Sequence, residues 1–259
     1  MTEAEDPFAH LHDEAYDAPL ALRRAGASGM VLAQGRPETP LDGTWRLTLD
    51  PFEEGLRQRW YANDDAPPTS WDTPRDWQWD GGEAAPVPGC WNLLRPELLH
   101  YEGAAWYVRD IEAAAPATEE CVLLQFGAAA QRAEVFLNGK HLGGHLGGST
   151  PFSLDATAAL QAGRNRLMVM VENARRPERV PMHHFDWFNY GGLHRGVSLL
   201  RLPRLHLQRF AIWLEPGSAH RRIRLRAALS QPVDSTGRLV IAALGLDAEA
   251  PPRAGANPN

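Results

Sequence analysis

Residues 133–142 read AEVFLNGKHL, and this stretch decides the fold class. Val135 and Leu137 lie two residues apart, which is the spacing of side chains on one face of a strand. Asn138 and Gly139 follow, and both residue types tolerate a positive φ angle, so the pair predicts the two-residue turn of a β-hairpin. Because the strand is expected to return directly after this turn, the middle of the chain is predicted to be antiparallel β-structure.

The same alternation of apolar side chains recurs on both sides of the hairpin. In Gly43–Asp50, Trp45, Leu47 and Leu49 share one face of a predicted strand. Almost no segment has the 3.6-residue period of a helix. Closely spaced strands joined by short turns predict an all-β protein, here a jelly-roll-like antiparallel β-sandwich. The other predicted strands are a short one in Val87–Asn92 and those at Ala105–Ile111, Cys121–Gly127, Arg166–Asn173 and Gly196–Leu202.

Three segments of the same region lack this pattern. The returning strand of the hairpin is expected to be Lys140–Leu142, so the glycine cluster Gly143–Gly148 is predicted to be a twisted surface loop. Phe152–Leu160 is predicted to be a turn with a short helical piece. Pro51–Pro86 is a long irregular connection, which we expect its tryptophans to hold against the sheet. These tryptophans are Trp60, Trp71, Trp77 and Trp79.

Changes in composition divide the chain into four predicted regions. Residues 1–38 have mixed charges and few apolar side chains, and they predict an N-terminal arm. Residues 39–203 hold the sandwich. Residues 204–247 contain about three strands, including Arg222–Leu229 and Arg238–Leu246, which is fewer than the roughly seven of an immunoglobulin-like sandwich, so this domain is expected to be incomplete. Residues 248–259 are rich in Pro, Ala and Gly and are predicted to be a disordered tail.

The overall composition excludes several classes of function. A hydrophobic share of 44%, a charged share of 22% and a net charge of −6 are ordinary for a globular protein and favour neither nucleic acid nor a membrane surface as a partner. No apolar run is long enough to cross a membrane, and the acidic N-terminus is unlike a secretory signal, so we expect a cytoplasmic protein. Cys90 and Cys121 are expected to be buried thiols rather than a disulfide.

His183–Arg195, with the sequence HHFDWFNYGGLHR, is the main candidate for a functional site and is called the aromatic loop below. Four aromatic side chains surround a single carboxylate, that of Asp186. Such rings can cover the C–H face of a sugar while the carboxylate accepts hydrogen bonds from its hydroxyl groups. Alternatively, the aromatic loop caps the core, with Asp186 paired to Arg195 or to backbone amides. In either case the lack of helical spacing and of clean alternation predicts a loop whose rings are pinned against a sheet edge. The residues alone leave both interpretations open.

Other patterns in the chain do not predict a catalytic centre. His183 and His184 have no third and fourth ligand at zinc spacing, so we expect no metal and no cofactor. The glycine cluster lacks the lysine and the βαβ context of a phosphate-binding loop. Ser149 and Ser198 have no recognisable His and Asp partners for a nucleophilic triad. No catalytic residue is therefore assigned within this chain.

Several segments, taken in order, resemble a known family. LDGTWRLTLD, VPGCWN, YEGAAWYVRD, AEVFLNGKHLGGHLGGSTPFSLDAT, AGRNRLMVMVEN and FDWFNYGGLHRGVSLLRLP are similar to the sugar-binding domain of glycoside hydrolase family 2, the β-galactosidase and β-glucuronidase family. The resemblance covers about Leu41 to Pro203, and the chain after it resembles the start of the family's immunoglobulin-like domain. It implies a galactose-binding-domain-like jelly roll and hydrolysis of O-glycosyl bonds in β-galactosides or β-glucuronides.

The resemblance also implies roles for residues in the aromatic loop. In family members the matching loop reaches the active site, and its aspartate contacts substrate hydroxyl groups, a role that would fall to Asp186. The predicted substrate-binding set is Asp186, Trp187, Asn189 and Tyr190. The form DWFNYGGLHR is closer to the β-glucuronidase type of loop, and Gly103 stands near a position where the lactase type has an asparagine.

The catalytic part of such an enzyme is not expected in this chain. Retaining glycosidases need two carboxylates about 5 Å apart, and in this family both come from a downstream barrel. A barrel takes about 250 residues, more than follow Pro203. The expected partners are therefore a carbohydrate, the catalytic barrel of the complete enzyme and, in that enzyme, further copies in a homo-oligomer. The chain alone is expected to be inactive. The alternatives are a free-standing carbohydrate-binding module and an interaction domain in which Asp186 is buried in a salt bridge.

Overall fold

The computed structural model describes residues 28–29, 36–62, 82–177, 179–217, 222–234, 236–241 and 245–250. The chain divides into two compact units, residues 1–201 and residues 202–259. Trp71, Trp77 and Trp79 of the long connection lie outside the described residues. Within the described residues no helix is long and apolar enough to cross a membrane.

Two antiparallel sheets build the first unit. One has five strands in the order β1-β9-β6-β11-β2, and the other has six in the order β4-β3-β5-β10-β7-β8. Two 3₁₀ turns, Trp91–Leu93 and Pro96–Leu98, follow β4. The strands are β1 (Ser28–Gly29), β2 (Glu38–Pro40), β3 (Gly43–Asp50), β4 (Glu83–Val87), β5 (Ala104–Ala113), β6 (Glu120–Phe126), β7 (Arg132–Leu137), β8 (Lys140–Leu146), β9 (Phe152–Asp155), β10 (Gly163–Glu172) and β11 (Val197–Pro203).

The core lies between the two sheets, as the alternation in the sequence predicted. Apolar side chains two residues apart on β3, β5, β6, β7 and β10 join one buried cluster, together with side chains from β9 and β11. Burial of apolar surface on this scale is the main favourable contribution to folding. The fold class is therefore confirmed as an all-β sandwich. Its largest fully buried side chains include Trp45, Trp91, Tyr107, Phe126 and Phe152.

A second, smaller apolar cluster covers the outer face of the six-stranded sheet. The start of the long connection folds back here, so that Trp60 contacts Trp106 and Tyr61 stacks on Phe136 with ring centroids 4.2 Å apart. The buried carboxylate of Asp50 fixes this return, because it accepts hydrogen bonds from the backbone of Gly55 (2.8 Å) and from the Trp106 indole (3.1 Å). The described tryptophan of the connection thus packs on the sheet as expected.

The predicted hairpin is present, but its second strand is longer than expected. Asn138 and Gly139 have φ angles of 51° and 78°, which are the values of the predicted turn type. Strand β8 continues to Leu146, so the prediction of a loop for Gly143–Gly148 is wrong for its first four residues. A Cβ on Gly144 would lie 2.4 Å from the Glu134 carboxylate on the neighbouring strand, so this glycine leaves room for that carboxylate.

Two further predictions for the first unit are corrected by its five-stranded sheet. Phe152–Asp155 is a strand paired with both β1 and β6, and not a turn with a helical piece. Its side chains are almost all buried, so it shows no alternation of apolar and polar residues. Residues 1–38 are not wholly an arm, since Ser28–Gly29 pairs with β9 and Glu38 begins β2.

The second unit consists of two antiparallel ribbons among the residues described. They are β12 (Leu207–Leu214) with β13 (Ile223–Leu229), and β14 (Gly237–Ile241) with β15 (Leu246–Ala250). Arg238–Leu246 is therefore a hairpin rather than one strand, and residues 248–250 belong to a strand rather than to a disordered tail. An incomplete immunoglobulin-like sandwich in this region stays a prediction.

Neither cysteine forms a disulfide in the described structure, and both are only partly buried. This state fits the prediction of thiols rather than a disulfide, but the two thiols are less buried than predicted. Burial nevertheless raises the pKa of the Cys90 thiol above its ordinary value.

Candidate functional site: the aromatic loop

The root of the aromatic loop is fixed by close backbone contacts with the segment after β4. Trp91 donates its backbone N–H to the carbonyl oxygen of Gly191 (3.0 Å), and Gly89 donates to that of Leu193 (2.8 Å). A Cβ on Gly191 would lie only 1.9 Å from Cζ2 of the fully buried Trp91. The two glycines of the loop are therefore explained by packing, since Gly192 has a φ angle of 133° and the backbone passes beside Gly89 and a buried tyrosine.

Three buried asparagines connect this root to the sandwich. Asn92 accepts a hydrogen bond from the backbone N–H of Gly191 (2.8 Å) and donates to the carbonyl oxygens of Leu98, Leu99 and Tyr101. Asn173 and Asn189 bond reciprocally, each side-chain amide donating to the other residue's backbone carbonyl oxygen, at 3.1 and 2.6 Å. These bonds satisfy loop backbone groups that would otherwise be buried without partners.

This network changes the interpretation of Asn189. The sequence analysis placed Asn189 among the substrate-binding residues, but its side chain is buried and already bonded to Asn173 and Gln131. A buried amide with these partners holds the loop and does not face a ligand. We therefore leave Asn189 out of the candidate contact surface.

The tip of the loop presents its aromatic rings to solvent in two pairs. Phe185 and Trp187 stack with centroids 4.6 Å apart and planes within 2°, and Phe188 and Tyr190 lie 4.5 Å apart. The exposed fractions of these four residues are between 37% and 50%. The prediction that these rings are pinned against a sheet edge is therefore wrong. They form a raised, half-exposed apolar surface.

Asp186 lies at the centre of this tip with its side chain exposed. Among the residues that the structure describes, none gives its carboxylate a hydrogen bond or an ion pair. Arg195, the partner considered in the sequence analysis, donates instead to the carbonyl oxygen of Ser149 (3.1 Å). The two alternatives in which Asp186 is paired with Arg195 or buried in a salt bridge are thus wrong, and the carboxylate oxygens face outward as free acceptors.

One guanidinium group holds the backbone on both sides of Asp186. Arg175 donates to the carbonyl oxygens of Phe185 (2.8 Å) and Trp187 (3.0 Å), and its Nε donates to the Glu102 carboxylate (2.8 Å). Sequence reasoning missed Arg175, which stands in none of the recognised segments, and gave no role to Glu102, which lies within the segment YEGAAWYVRD. Asn92 and Asn173 left a faint signal, since each is the last residue of a motif that ends where a strand gives way to a loop.

A buried ion pair lies in the segment between β10 and the loop. The carboxylate of Glu172 accepts a hydrogen bond from Arg179 (2.8 Å), and both side chains are almost fully buried. Gln131 donates its side-chain N–H to the carbonyl oxygen of Val180 (2.9 Å), beside this pair. The chain entering the loop is thereby attached to the end of the six-stranded sheet.

The chemistry available at this site is recognition by stacking and by hydrogen-bond acceptance. The aromatic surface suits the C–H face of a ring-shaped ligand, and the Asp186 carboxylate suits hydroxyl donors. Across the described residues there is no group of three or more His, Cys, Asp or Glu side chains arranged to hold a metal ion.

The fold and the loop together define a class of protein, the two-sheet β-sandwich domains that present an aromatic and acidic loop at one end. A family model described as the sugar binding domain of glycosyl hydrolases family 2 matches residues 39–203. The chain belongs to this family.

The chain is similar to curated proteins that are longer than it is. A β-glucuronidase from Paenibacillus borealis is 29% identical over 194 residues, a match that covers 66% of this chain and 30% of that protein. The human β-glucuronidase is 26% identical over 216 residues, covering 69% of this chain and 31% of that protein. The match therefore spans about a third of the length of these relatives.

Solved structures agree with the fold. A β-glucuronidase from Ruminococcus gnavus superimposes with a TM-score of 0.67 at 22% identity, covering 88% of this chain and 39% of that protein. The R. gnavus β-glucuronidase solved in complex with D-glucuronic acid superimposes on this chain with the same TM-score, 0.67, at 21% identity. At this level of identity the likeness concerns the fold.

Proposed function

We propose that this chain is the sugar-orienting portion of a family 2 glycosidase that acts on β-glucuronides. The observation that carries the proposal is the state of Asp186, an exposed carboxylate with no partner in the described structure, set between half-exposed aromatic rings. In the proposed function, Asp186 accepts hydrogen bonds from hydroxyl groups at the non-reducing end of the substrate. Trp187 and Tyr190 form the adjacent wall.

The arrangement of the loop supports this assignment on physical grounds. A carboxylate left in solvent contributes little to stability, whereas two hydroxyl donors from a sugar would give charge-assisted hydrogen bonds. Exposed aromatic rings cost free energy in water unless a ligand or another protein surface covers them. The rigid root of the loop, with its buried asparagines, would hold these groups in one place and so reduce the entropy that binding costs.

The names of the relatives favour a β-glucuronide over a β-galactoside. The curated relatives compared above are β-glucuronidases, and the loop form DWFNYGGLHR agrees with that choice. We assign recognition of the uronate carboxylate to the portion of such an enzyme that this chain does not match, because Asp186 carries the wrong charge for it.

Bond cleavage is assigned to a separate catalytic barrel. A retaining mechanism needs two carboxylates about 5 Å apart, whereas the aromatic loop contains a single carboxylate, which the proposal assigns to binding. The barrel would also cover the exposed apolar side chains of the loop and the neighbouring Met182 and Val180, which are 40% and 69% exposed. The chain alone would bind and orient a sugar without hydrolysing it.

Saturation-transfer NMR with methyl β-D-glucuronide tests the proposal on the purified chain. We expect saturation to reach the C–H protons of the sugar and to fall strongly in Trp187→Ala. A parallel assay with 4-nitrophenyl β-D-glucuronide should show no turnover. An unsaturated sugar spectrum at millimolar ligand would refute sugar binding by this chain, and turnover by the chain would refute the assignment of cleavage to a separate barrel.

A further inference from the structure

We infer that Arg175 is the positioning residue that presents Asp186, an inference that rests on the proposed function for its consequence in sugar binding. Arg175 does not contact the ligand in this proposal. It acts through the loop backbone, which it holds in the conformation that points the Asp186 carboxylate and the Trp187 ring outward.

The geometry places both peptide units beside Asp186 under the control of one side chain. The Nη1 and Nη2 groups of Arg175 donate to the carbonyl oxygens of Phe185 (2.8 Å) and Trp187 (3.0 Å), and Nη1 also lies 3.4 Å from that of Met182. Two carbonyl oxygens that converge on one planar fork cannot turn independently. The backbone of the residue between them is therefore fixed on both sides.

The fork itself is oriented by Glu102. Its carboxylate accepts from the Nε of Arg175 at 2.8 Å, and the two side chains are 34% and 17% exposed. Arg175 also starts from a rigid base, since it follows Asn173, which is buried and bonded to Gly103. The chain Glu102–Arg175–loop thus connects the turn before β5 to the tip of the aromatic loop.

An arginine suits this position and a lysine does not. Guanidinium offers several N–H donors in one plane, so it can bond two carbonyl oxygens and a carboxylate at the same time. A lysine ammonium is a compact group with no fixed fork, and it would hold one carbonyl oxygen at the expense of the other. The distinction gives a graded series of variants, with Arg175→Lys between the natural chain and Arg175→Ala.

The first test needs no sugar. Chymotrypsin cleaves after exposed aromatic residues in segments that open locally, so the rate of cleavage at Phe185, Trp187 and Phe188 reports how firmly the tip is held. We expect Arg175→Ala to raise this rate about tenfold, the factor that corresponds to about 1.4 kcal/mol, with Arg175→Lys intermediate. Cleavage after Phe52, which is 83% exposed in another part of the chain, should not change.

Arg164→Ala is the matched control, because Arg164 on β10 also pairs with a carboxylate, that of Asp110 on β5 (2.7 Å). It should leave both cleavage rates unchanged. An unchanged rate at the loop in Arg175→Ala, with thermal unfolding also unchanged, would overturn the inference. A rise at Phe52 as well as at the loop would show a general loss of stability, and it would count equally against a positioning role.

The second test measures the affinity for methyl β-D-glucuronide by NMR titration. We expect Arg175→Ala to bind about tenfold more weakly, at an unchanged unfolding temperature. Equal affinity in a variant with a loosened loop would overturn the positioning role while leaving the proposed function intact. If the natural chain does not bind the sugar, the proposed function fails, and the cleavage rates still decide whether Arg175 fixes the loop.

Discussion

Asn92→Ala is expected to destabilise the protein strongly, because Asn92 joins the aromatic loop to the segment before β5. Its side chain is 2% exposed and makes four hydrogen bonds, three from the two N–H groups of its amide to backbone carbonyl oxygens, one N–H being shared, and one as acceptor from the N–H of Gly191. One buried amide therefore satisfies backbone groups close to it in sequence and also that of Gly191, which lies 99 residues further along the chain.

The magnitude follows from these four bonds. Each contributes about 0.5–1.5 kcal/mol net, and a buried group left without a partner costs about 1–3 kcal/mol. Because the carbonyl oxygens of Leu98, Leu99 and Tyr101 share one donor group, their losses are not independent. We expect the free energy of unfolding to fall by about 3–5 kcal/mol.

Urea unfolding monitored by tryptophan fluorescence measures this loss. Gln161→Ala removes an exposed side-chain amide and serves as the control, with an expected change of at most about 0.5 kcal/mol. A loss below about 1 kcal/mol in Asn92→Ala would refute the reasoning, since it would mean that the four bonds are replaced by water without cost.

Asn92→Asp distinguishes the donor from the acceptor contribution. It keeps an oxygen for Gly191 but turns a carboxylate toward three carbonyl oxygens, which should raise the pKa of the new carboxyl group in the folded state. A raised pKa means that the folded state takes up a proton more readily than the unfolded state. The stability of Asn92→Asp relative to the natural chain should therefore recover as the pH falls from 7 to below the folded-state pKa.

Two further predictions concern the loop root and the outer sheet face. Gly191→Ala should lower the free energy of unfolding by about 3 kcal/mol or more, because its Cβ would overlap the buried Trp91 side chain. Gly148→Ala is the control in a thermal unfolding assay of both variants. It should be tolerated, since its Cβ would lie 3.5 Å from the nearest atom. Glu134→Gln tests a charged cluster: burial works to raise the pKa of Glu134, but the hydrogen bond from His141 and the charge of Arg132 outweigh it and hold the pKa below its ordinary value. A carboxyl group with a lowered folded-state pKa stabilises the fold at pH values above its ordinary pKa, and this stabilisation is lost as the pH falls through the folded-state pKa. The loss of stability in Glu134→Gln at pH 7 should therefore become smaller in acid. A loss that does not depend on pH would contradict this reasoning.

Most of the sandwich could be predicted because its strands carry their burial pattern locally. Strand β3 begins and ends at the residues predicted, Gly43 and Asp50, since alternation of Trp and Leu with polar residues is visible in eight positions. Strand β9 was missed for the opposite reason, because it is short and buried on both faces. The glycines of β8 looked like a loop, whereas Gly144 leaves room for the Glu134 carboxylate of the neighbouring strand, a contact that spacing does not reveal.

The candidate site divides in the same way. Composition alone singled out the aromatic loop and Asp186, because four rings around one carboxylate form a dense local pattern. The residues that hold the loop could not be found from the sequence. Asn92 bonds the backbone of Gly191 from a distant segment, and Arg175, which is itself bonded to Glu102, donates to a backbone carbonyl oxygen of the loop. Asn189 was assigned to the ligand because it lies inside the loop, and the structure shows that its side chain faces the protein.

The affinity of Asp186→Ala for methyl β-D-glucuronide tests the central claim most directly. We expect this variant to bind about tenfold more weakly than the natural chain, with an unchanged unfolding temperature because its carboxylate has no partner among the described residues. Glu112→Ala, which removes an exposed carboxylate at the far end of β5, should bind as the natural chain does. Equal affinity of Asp186→Ala and the natural chain would contradict the account.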